Sequence, residues 1–148
     1  GWMLATAESC TGGMISAGCT DLAGSSLWFE RGFVSYSNEA KQDMLGVPAA
    51  LIVQHGAVSE PVAQAMVLGA LNHSKAQVAL AVTGIAGPGG GSASKPVGTV
   101  WLAWGVGDQV SSEVKHFPGN RDEVRRQTVK AALEGLLRLA AREIENQG

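Results

Sequence analysis

The sequence is short of charge, of aromatic residues and of cysteine, and it has no long apolar run. Charged side chains make up 16% of its 148 residues, and the formal net charge is −2. Binding to a nucleic-acid backbone draws its affinity from neutralised phosphates and released counterions, so it goes with a basic excess. This chain has none, and no nucleic-acid partner is expected. A few aimed donors could still hold a single phosphate. No apolar stretch approaches the roughly 20 residues of a membrane helix, and no signal-peptide pattern is present, so no membrane partner is expected either. The two cysteines, Cys10 and Cys19, fall in one short strand–turn–helix pattern. They are no disulfide framework, and a reducing cytoplasm is the expected compartment. The three histidines, His55, His73 and His116, are scattered and match no metal-ligand spacing. Neither a metal nor another cofactor is expected.

What is present is a globular balance. Hydrophobic residues make up 45% of the chain, and the length suits one domain spanning 1–148. Strand and helix patterns alternate. Met3–Thr6 reads as a strand, Gly12–Leu22 as a helix, Gly24-Ser25-Ser26 as a turn and Trp28–Ser35 as a second strand. Ser37 or Asn38 caps a helix to Leu45, stopped by Gly46-Val47-Pro48. Ser59 caps the next helix, with Pro61 in its first turn and an end near Asn72. The unbroken apolar run Val78–Thr83 is a buried strand. A hairpin follows, Gly98–Val106 and Val110–Phe117, turning at Gly107-Asp108. Asn120 with Glu123 forms a capping box that opens a long amphipathic helix. Its expected apolar contacts are Val124, Val129, Leu133, Leu136, Leu137 and Ile144. The order predicts an α/β fold, a three-layer α/β/α sandwich with a mixed β-sheet.

Ligands of such sheets sit beyond the carboxyl ends of the strands, and two unusual loops fall there. The first is Thr6-Ala7-Glu8-Ser9-Cys10-Thr11-Gly12-Gly13. A strand that turns into a helix N-terminus offers unpaired N–H groups to an anion or a developing oxyanion. Ser9, Cys10 and Thr11 are candidate nucleophiles there, and Gly12 and Gly13 allow close approach to the backbone. Helix capping by Ser9 or Thr11, with Cys10 in the core, accounts for the same residues without chemistry. Glu8 could orient a base, pair with an arginine or lie exposed. No histidine is well placed as a base. Lys41 is the alternative, provided its pKa falls from about 10.4 toward neutrality; otherwise it is an ordinary exposed helix lysine.

The second loop runs from Gly84 to Pro96, with Gly84, Gly87 and the run Gly89-Gly90-Gly91. It matches neither a phosphate-binding P-loop nor a dinucleotide fingerprint. A glycine-rich loop at a strand end can nonetheless cradle an anion, or it can be plain surface loop. Arg121, Arg125 and Arg126 lie at the start of the last helix, where a cation opposes the helix dipole, and this points to a task such as holding phosphate. Pairing with Asp122 or Glu123 is the plainer account. Trp28, Trp101 and Trp104 are expected in or beside the sheet, as core.

The blocks Thr6–Gly13, Gly32–Lys41, His55–Glu60, Thr83–Pro88 with Lys95–Thr99, and Phe117–Asp122 occur in an order that resembles the CinA C-terminal-domain family over nearly the whole chain. The likeness is to its stand-alone members. It implies metal-free hydrolysis of nicotinamide mononucleotide to nicotinic acid mononucleotide and ammonia by a serine–lysine dyad. Ser9 is then the nucleophile, Lys41 the general base and Tyr36 a neighbour that assists Lys41 or binds substrate. Implied substrate contacts are Cys10, Thr11, Gly12, Gly13, Thr83, Gly84, Gly87 and an arginine of the last helix, Arg125 or Arg126. The expected partner is a small-molecule nucleotide, and the expected assembly is a homo-oligomer, a dimer. The family has a helix ahead of the first strand, whereas this sequence opens on the strand. Two competing readings are a nucleotide-binding domain without turnover and an amidase that uses Cys10.

Overall fold

The structure, a computed structural model, describes residues 1–147. Its strands are β1 (Leu4–Glu8), β2 (Phe29–Val34), β3 (Val78–Gly84), β4 (Thr99–Val106) and β5 (Gln109–His116). Its α-helices are α1 (Met14–Thr20), α2 (Asn38–Leu45), α3 (Ala49–His55), α4 (Glu60–Asn72) and α5 (Arg121–Gln147), with one 3₁₀ turn at Ser25–Leu27. The sheet order is β2-β1-β3-β4-β5. β1 pairs in parallel with β2 and β3, while β3–β4 and β4–β5 are antiparallel. The sheet is therefore mixed, as the alternating pattern predicts. Among the described residues no helix is long and apolar enough to cross a membrane.

Strand alternation decides the layers. Ala5, Ala7, Ala79, Ala81 and Ala103 face one side and meet Val62, Ala63, Met66, Val67 and Ala70 of α4, with Leu45 and Ile52 beside them. Small strand side chains let α4 settle close to the sheet. The opposite face carries Leu80, Val82, Val100, Leu102 and Trp104, which meet Ile15 of α1 and Val124 and Ala132 of α5. The Trp104 indole N–H donates to the Ala132 carbonyl at 2.9 Å, so the largest core ring leaves no buried donor unpaired. The outer strands are the polar ones: β5, Gln-Val-Ser-Ser-Glu-Val-Lys-His, has no buried residue, and Glu113 and Lys115 mark its edge.

Three local expectations change. The first helix begins at Met14, because Gly12 and Gly13 both have positive φ and belong to the turn. Pro48 does more than stop α2: it is the N-cap of α3, whose seven residues are too few to show a helical period. Leu137 and Ile144 are about 70% exposed, unlike the buried or half-buried Val124, Val129, Leu133 and Leu136. They flank an apolar hollow of about 740 Å³ lined by Trp2, Leu4, Leu22, Trp28 and Leu136. The capping box forms as expected, with Asn120 Oδ1 accepting from the Glu123 amide at 2.9 Å and Glu123 Oε1 from the Asn120 amide at 3.0 Å.

α2 and α4 touch so closely that a Cβ on Gly69 would overlap the Leu45 carbonyl. Gly69→Ala must push the helices apart and should lower stability by roughly 1–3 kcal/mol in urea unfolding. Gly89→Ala, whose added methyl meets nothing, should stay within about 0.5 kcal/mol. Equal stability for both variants would contradict this packing.

Candidate active site

The parallel register brings the ends of three strands level. Glu8 is opposite Val34 on β2 and Val82 on β3, so the next residues, Ser9, Ser35 and Thr83, stand side by side. The Ser9 amide donates to the Val82 carbonyl at 3.2 Å, and the Ser35 amide to the Glu8 carbonyl at 2.9 Å. By alternation all three side chains continue the face that carries Ala5, Ala7, Phe33 and Ala81, the face that α2 covers. Ser37 then caps α2, its hydroxyl accepting from the Ala40 amide. Lys41, one turn later, is carried back over the strand ends.

Lys41 is 1% exposed. Its Nζ lies 3.0 Å from Ser9 Oγ, 3.2 Å from the Ser35 carbonyl and 2.8 Å from the Tyr36 carbonyl. No carboxylate neutralises it. Burial holds its pKa below the usual lysine range, and the Cys10 thiol acts in the opposite sense only when ionised. That thiol stays protonated near neutrality, because burial pushes it up to about 11. The amine has an acceptor for each N–H when protonated. When neutral, two N–H groups satisfy the two carbonyls and the lone pair is left for the Ser9 hydroxyl. Tyr36 contributes its backbone to this arrangement; its residue is 60% exposed at the rim. Tyr36 thus lies beside the site, as expected, and meets Lys41 through its carbonyl.

Ser9 and Lys41 line a cavity of about 230 Å³ with Tyr36, Thr83, Gly84 and Arg121. Thr83 is buried and donates to the Ala57 carbonyl at 2.9 Å, tying β3 to the loop before α4. Gly87 is outside the cavity wall, but its carbonyl accepts from Arg121 at 2.8 Å. Arg121 is therefore the last-helix arginine that reaches the cavity. Arg126 pairs with Asp122 at 2.9 Å on an exposed face. Arg125 turns to the loop after β1, donating to the Cys10 carbonyl at 3.0 Å and the Thr11 carbonyl at 3.2 Å. The sequence marks the three arginines equally. The available signal for Arg121 is its place right after the Asn120 cap, at the helix end nearest the strand ends.

Glu8, ambiguous in sequence, is fully buried on the α1 side. Its carboxylate accepts from the Gly13, Ile15 and Ser16 amides and from the Thr11 and Ser16 hydroxyls, at 2.6–3.3 Å. It takes the N–H groups that a helix N-terminus leaves unpaired. The oxyanion donors expected from Cys10 to Gly13 are reduced accordingly. Gly13 donates to Glu8 and Gly12 to the Ser9 carbonyl, whereas the Cys10 and Thr11 amides have no acceptor among the described residues. Cys10 lines the same cavity, as expected, and is at the same time buried in the core with Ile15, Leu80 and Val82. A protonated, buried thiol is a poor nucleophile. Among the described residues no three His, Cys, Asp or Glu side chains gather as metal ligands.

Glu8→Gln keeps the shape but replaces one acceptor oxygen by a donor facing amides. It should cost about 3 kcal/mol by urea unfolding, the range for buried hydrogen bonds to a charged acceptor plus the donors left unpaired. A loss under about 0.5 kcal/mol would mean that Glu8 does not hold the turn.

Comparison with known proteins agrees with this fold. The family model of the CinA C-terminal domain matches residues 1–140. A Pseudomonas putida protein named nicotinamide-nucleotide amidohydrolase PncC is 60% identical over 134 residues, covering 90% of this chain and 84% of that protein. The protein of the same name from Escherichia coli K12 is 54% identical over 138 residues, covering 92% and 83%. The crystal structure of the competence/damage inducible protein CihA from Agrobacterium tumefaciens superposes with a TM-score of 0.92 at 51% identity, covering 95% of this chain and 86% of the other. A match over nearly all of the sequence, together with the shared fold, means that this chain belongs to the CinA C-terminal-domain family.

Proposed function

We propose that this chain is an amidohydrolase of nicotinamide nucleotides, and that it converts nicotinamide mononucleotide to nicotinic acid mononucleotide and ammonia with a Ser9–Lys41 dyad. The observation that carries the reading is the buried Lys41 amine, 3.0 Å from Ser9 Oγ at a cavity wall. Burying an amine without a carboxylate costs several kcal/mol, which a domain that only binds nucleotides has no reason to bear. The names of the relatives from P. putida and E. coli support the substrate class.

In this reading neutral Lys41 takes the hydroxyl proton as Ser9 Oγ attacks the carboxamide carbon. The amide of Cys10, which lines the cavity, receives the oxyanion. Lys41 returns the proton to the leaving nitrogen, ammonia departs and an ester to Ser9 remains. Lys41 then deprotonates a water that attacks the ester, and collapse regenerates Ser9 and releases the pyridine carboxylate. The 230 Å³ cavity is below the roughly 300 Å³ of sites that enclose whole drug-sized ligands. It suits the pyridine ring, with the ribose phosphate at the mouth. Arg121 is the phosphate ligand in this scheme, in place of Arg125 or Arg126. Its present partner is a neutral carbonyl that an anion displaces readily.

Ser9→Ala should abolish ammonia release while leaving the fold intact, and Cys10→Ala should keep most of it; the reverse pattern would sink the dyad. The base must be neutral to act, and burial lowers its pKa, so kcat/KM should fall on the acid side and level off below the pH at which a free lysine titrates. Lys41→Arg should be as inactive as Lys41→Ala, because a guanidinium keeps its proton.

Arg121→Ala should raise KM for nicotinamide mononucleotide about tenfold or more, the scale of one charge-assisted contact. It should change little for nicotinamide riboside, which lacks the phosphate. Equal effects on both substrates would remove Arg121 from phosphate recognition.

A further inference from the structure

Arg125 crosses from α5 to the nucleophile turn, 115 residues away in sequence, and bonds only backbone there. Its Nε donates to the Cys10 carbonyl and its Nη2 to the Thr11 carbonyl. Both peptides are trans, since the only cis bond among the described residues is Gly87–Pro88. In a planar trans peptide the carbonyl and the N–H of the next residue point in opposite directions. Anchoring the Cys10 carbonyl toward α5 therefore turns the Thr11 N–H away from α5. The Ser9 carbonyl, held by the Gly12 amide at 3.1 Å, sets the Cys10 N–H in the same manner. The Thr11 carbonyl shares its peptide with that Gly12 amide, so Arg125 acts on the Cys10 N–H through it; Cys10 lines the cavity, whereas Thr11 is fully buried and does not. A guanidinium bonded to the carbonyl also polarises the amide of the same peptide, which strengthens it as a donor.

We propose that Arg125 is a positioning residue that, through the Thr11–Gly12 peptide, fixes and polarises the Cys10 amide as the oxyanion donor of the Ser9 turn and makes no contact with the substrate phosphate. Gly12 fits this arrangement: a Cβ there would come within 3.4 Å of Arg125 Nη2, and the residue has φ +58°. The guanidinium thus lies flat against the turn. The proposal rests on Ser9 being the nucleophile, but not on the identity of the substrate.

The test uses the full chain with Arg125→Met and Arg125→Lys, both checked for thermal stability. Each is assayed with nicotinamide mononucleotide and with nicotinamide riboside. In parallel the rate of Ser9 labelling by a fluorophosphonate is followed by intact mass, since that reaction needs the same oxyanion site. Arg125→Met should lose about 100-fold in kcat, the scale of one oxyanion donor, with KM within about twofold. The loss should be the same for both substrates, and Ser9 labelling should slow in parallel. Arg125→Lys keeps the charge but not the two-carbonyl fork, and should fall in between; it answers the question if the methionine variant does not fold. A raised KM confined to the phosphorylated substrate, with kcat and labelling intact, would overturn the proposal and make Arg125 a phosphate ligand. If the parent protein labels at Ser9 but releases no ammonia, the substrate assignment fails and the labelling rates alone decide on Arg125. Absence of labelling in the parent protein would overturn the proposal together with the nucleophile assignment.

Discussion

The placement of Ser9 depends on one buried carboxylate. Glu8 ends β1, and its two oxygens collect three amides and two hydroxyls at the start of α1. Without it those donors would be buried and unpaired between sheet and helix, each at a cost of about 1–3 kcal/mol. Arg125 holds the other side of the same loop by its carbonyls. The turn is thus gripped by an anion on its donors and a cation on its acceptors. Gly12 and Gly13 let it bend between them with positive φ. Opposite charges on opposite sides leave little freedom in the peptide planes that flank the nucleophile.

Charge is distributed unevenly over the molecule. Arg31, Lys115, Arg126 and Lys130 each pair with a carboxylate at the surface. Such exposed pairs contribute little to stability. Lys41, Arg121 and Arg125, at the carboxyl ends of the parallel strands, bond to carbonyls, and Lys41 also to the Ser9 hydroxyl. The site end thus gathers three basic side chains whose bonding partners are neutral, with the buried Glu8 carboxylate on the other side of the turn. Burial, and not a neighbouring cation, is what opposes protonation of the Lys41 amine.

Much of this was legible in the sequence because it rests on local rules. The apolar run from Val78, the Gly107-Asp108 turn and the Asn120–Glu123 box are short-range signals, and each appears where expected. The strand-end location of both unusual loops follows from alternating elements. What was not legible depends on which face a residue meets after folding. Glu8 reads as a possible surface acid until the strand parity turns it under α1. Lys41 reads as a helix lysine, and its burial appears only when α2 closes over the strand ends; the family resemblance, not spacing, singles it out. Arg121, Arg125 and Arg126 share one sequence context, and the helix rotation sends them to the cavity wall, the turn backbone and solvent respectively. Leu137 and Ile144 are apolar but exposed; Leu137 lies between Leu136 and Leu139, which pack against the core, so it is on a face of α5 turned away from the sheet.

The central claim is that Ser9 carries the acyl group during turnover. Acid-quenching the protein within its first turnovers on nicotinamide mononucleotide, followed by intact mass and peptide mapping, tests it directly. The account predicts a covalent adduct with the mass of the substrate less ammonia, on the peptide containing Ser9 and absent in Ser9→Ala. An adduct on Cys10, or turnover with no adduct under conditions where deacylation is slowed, would contradict it.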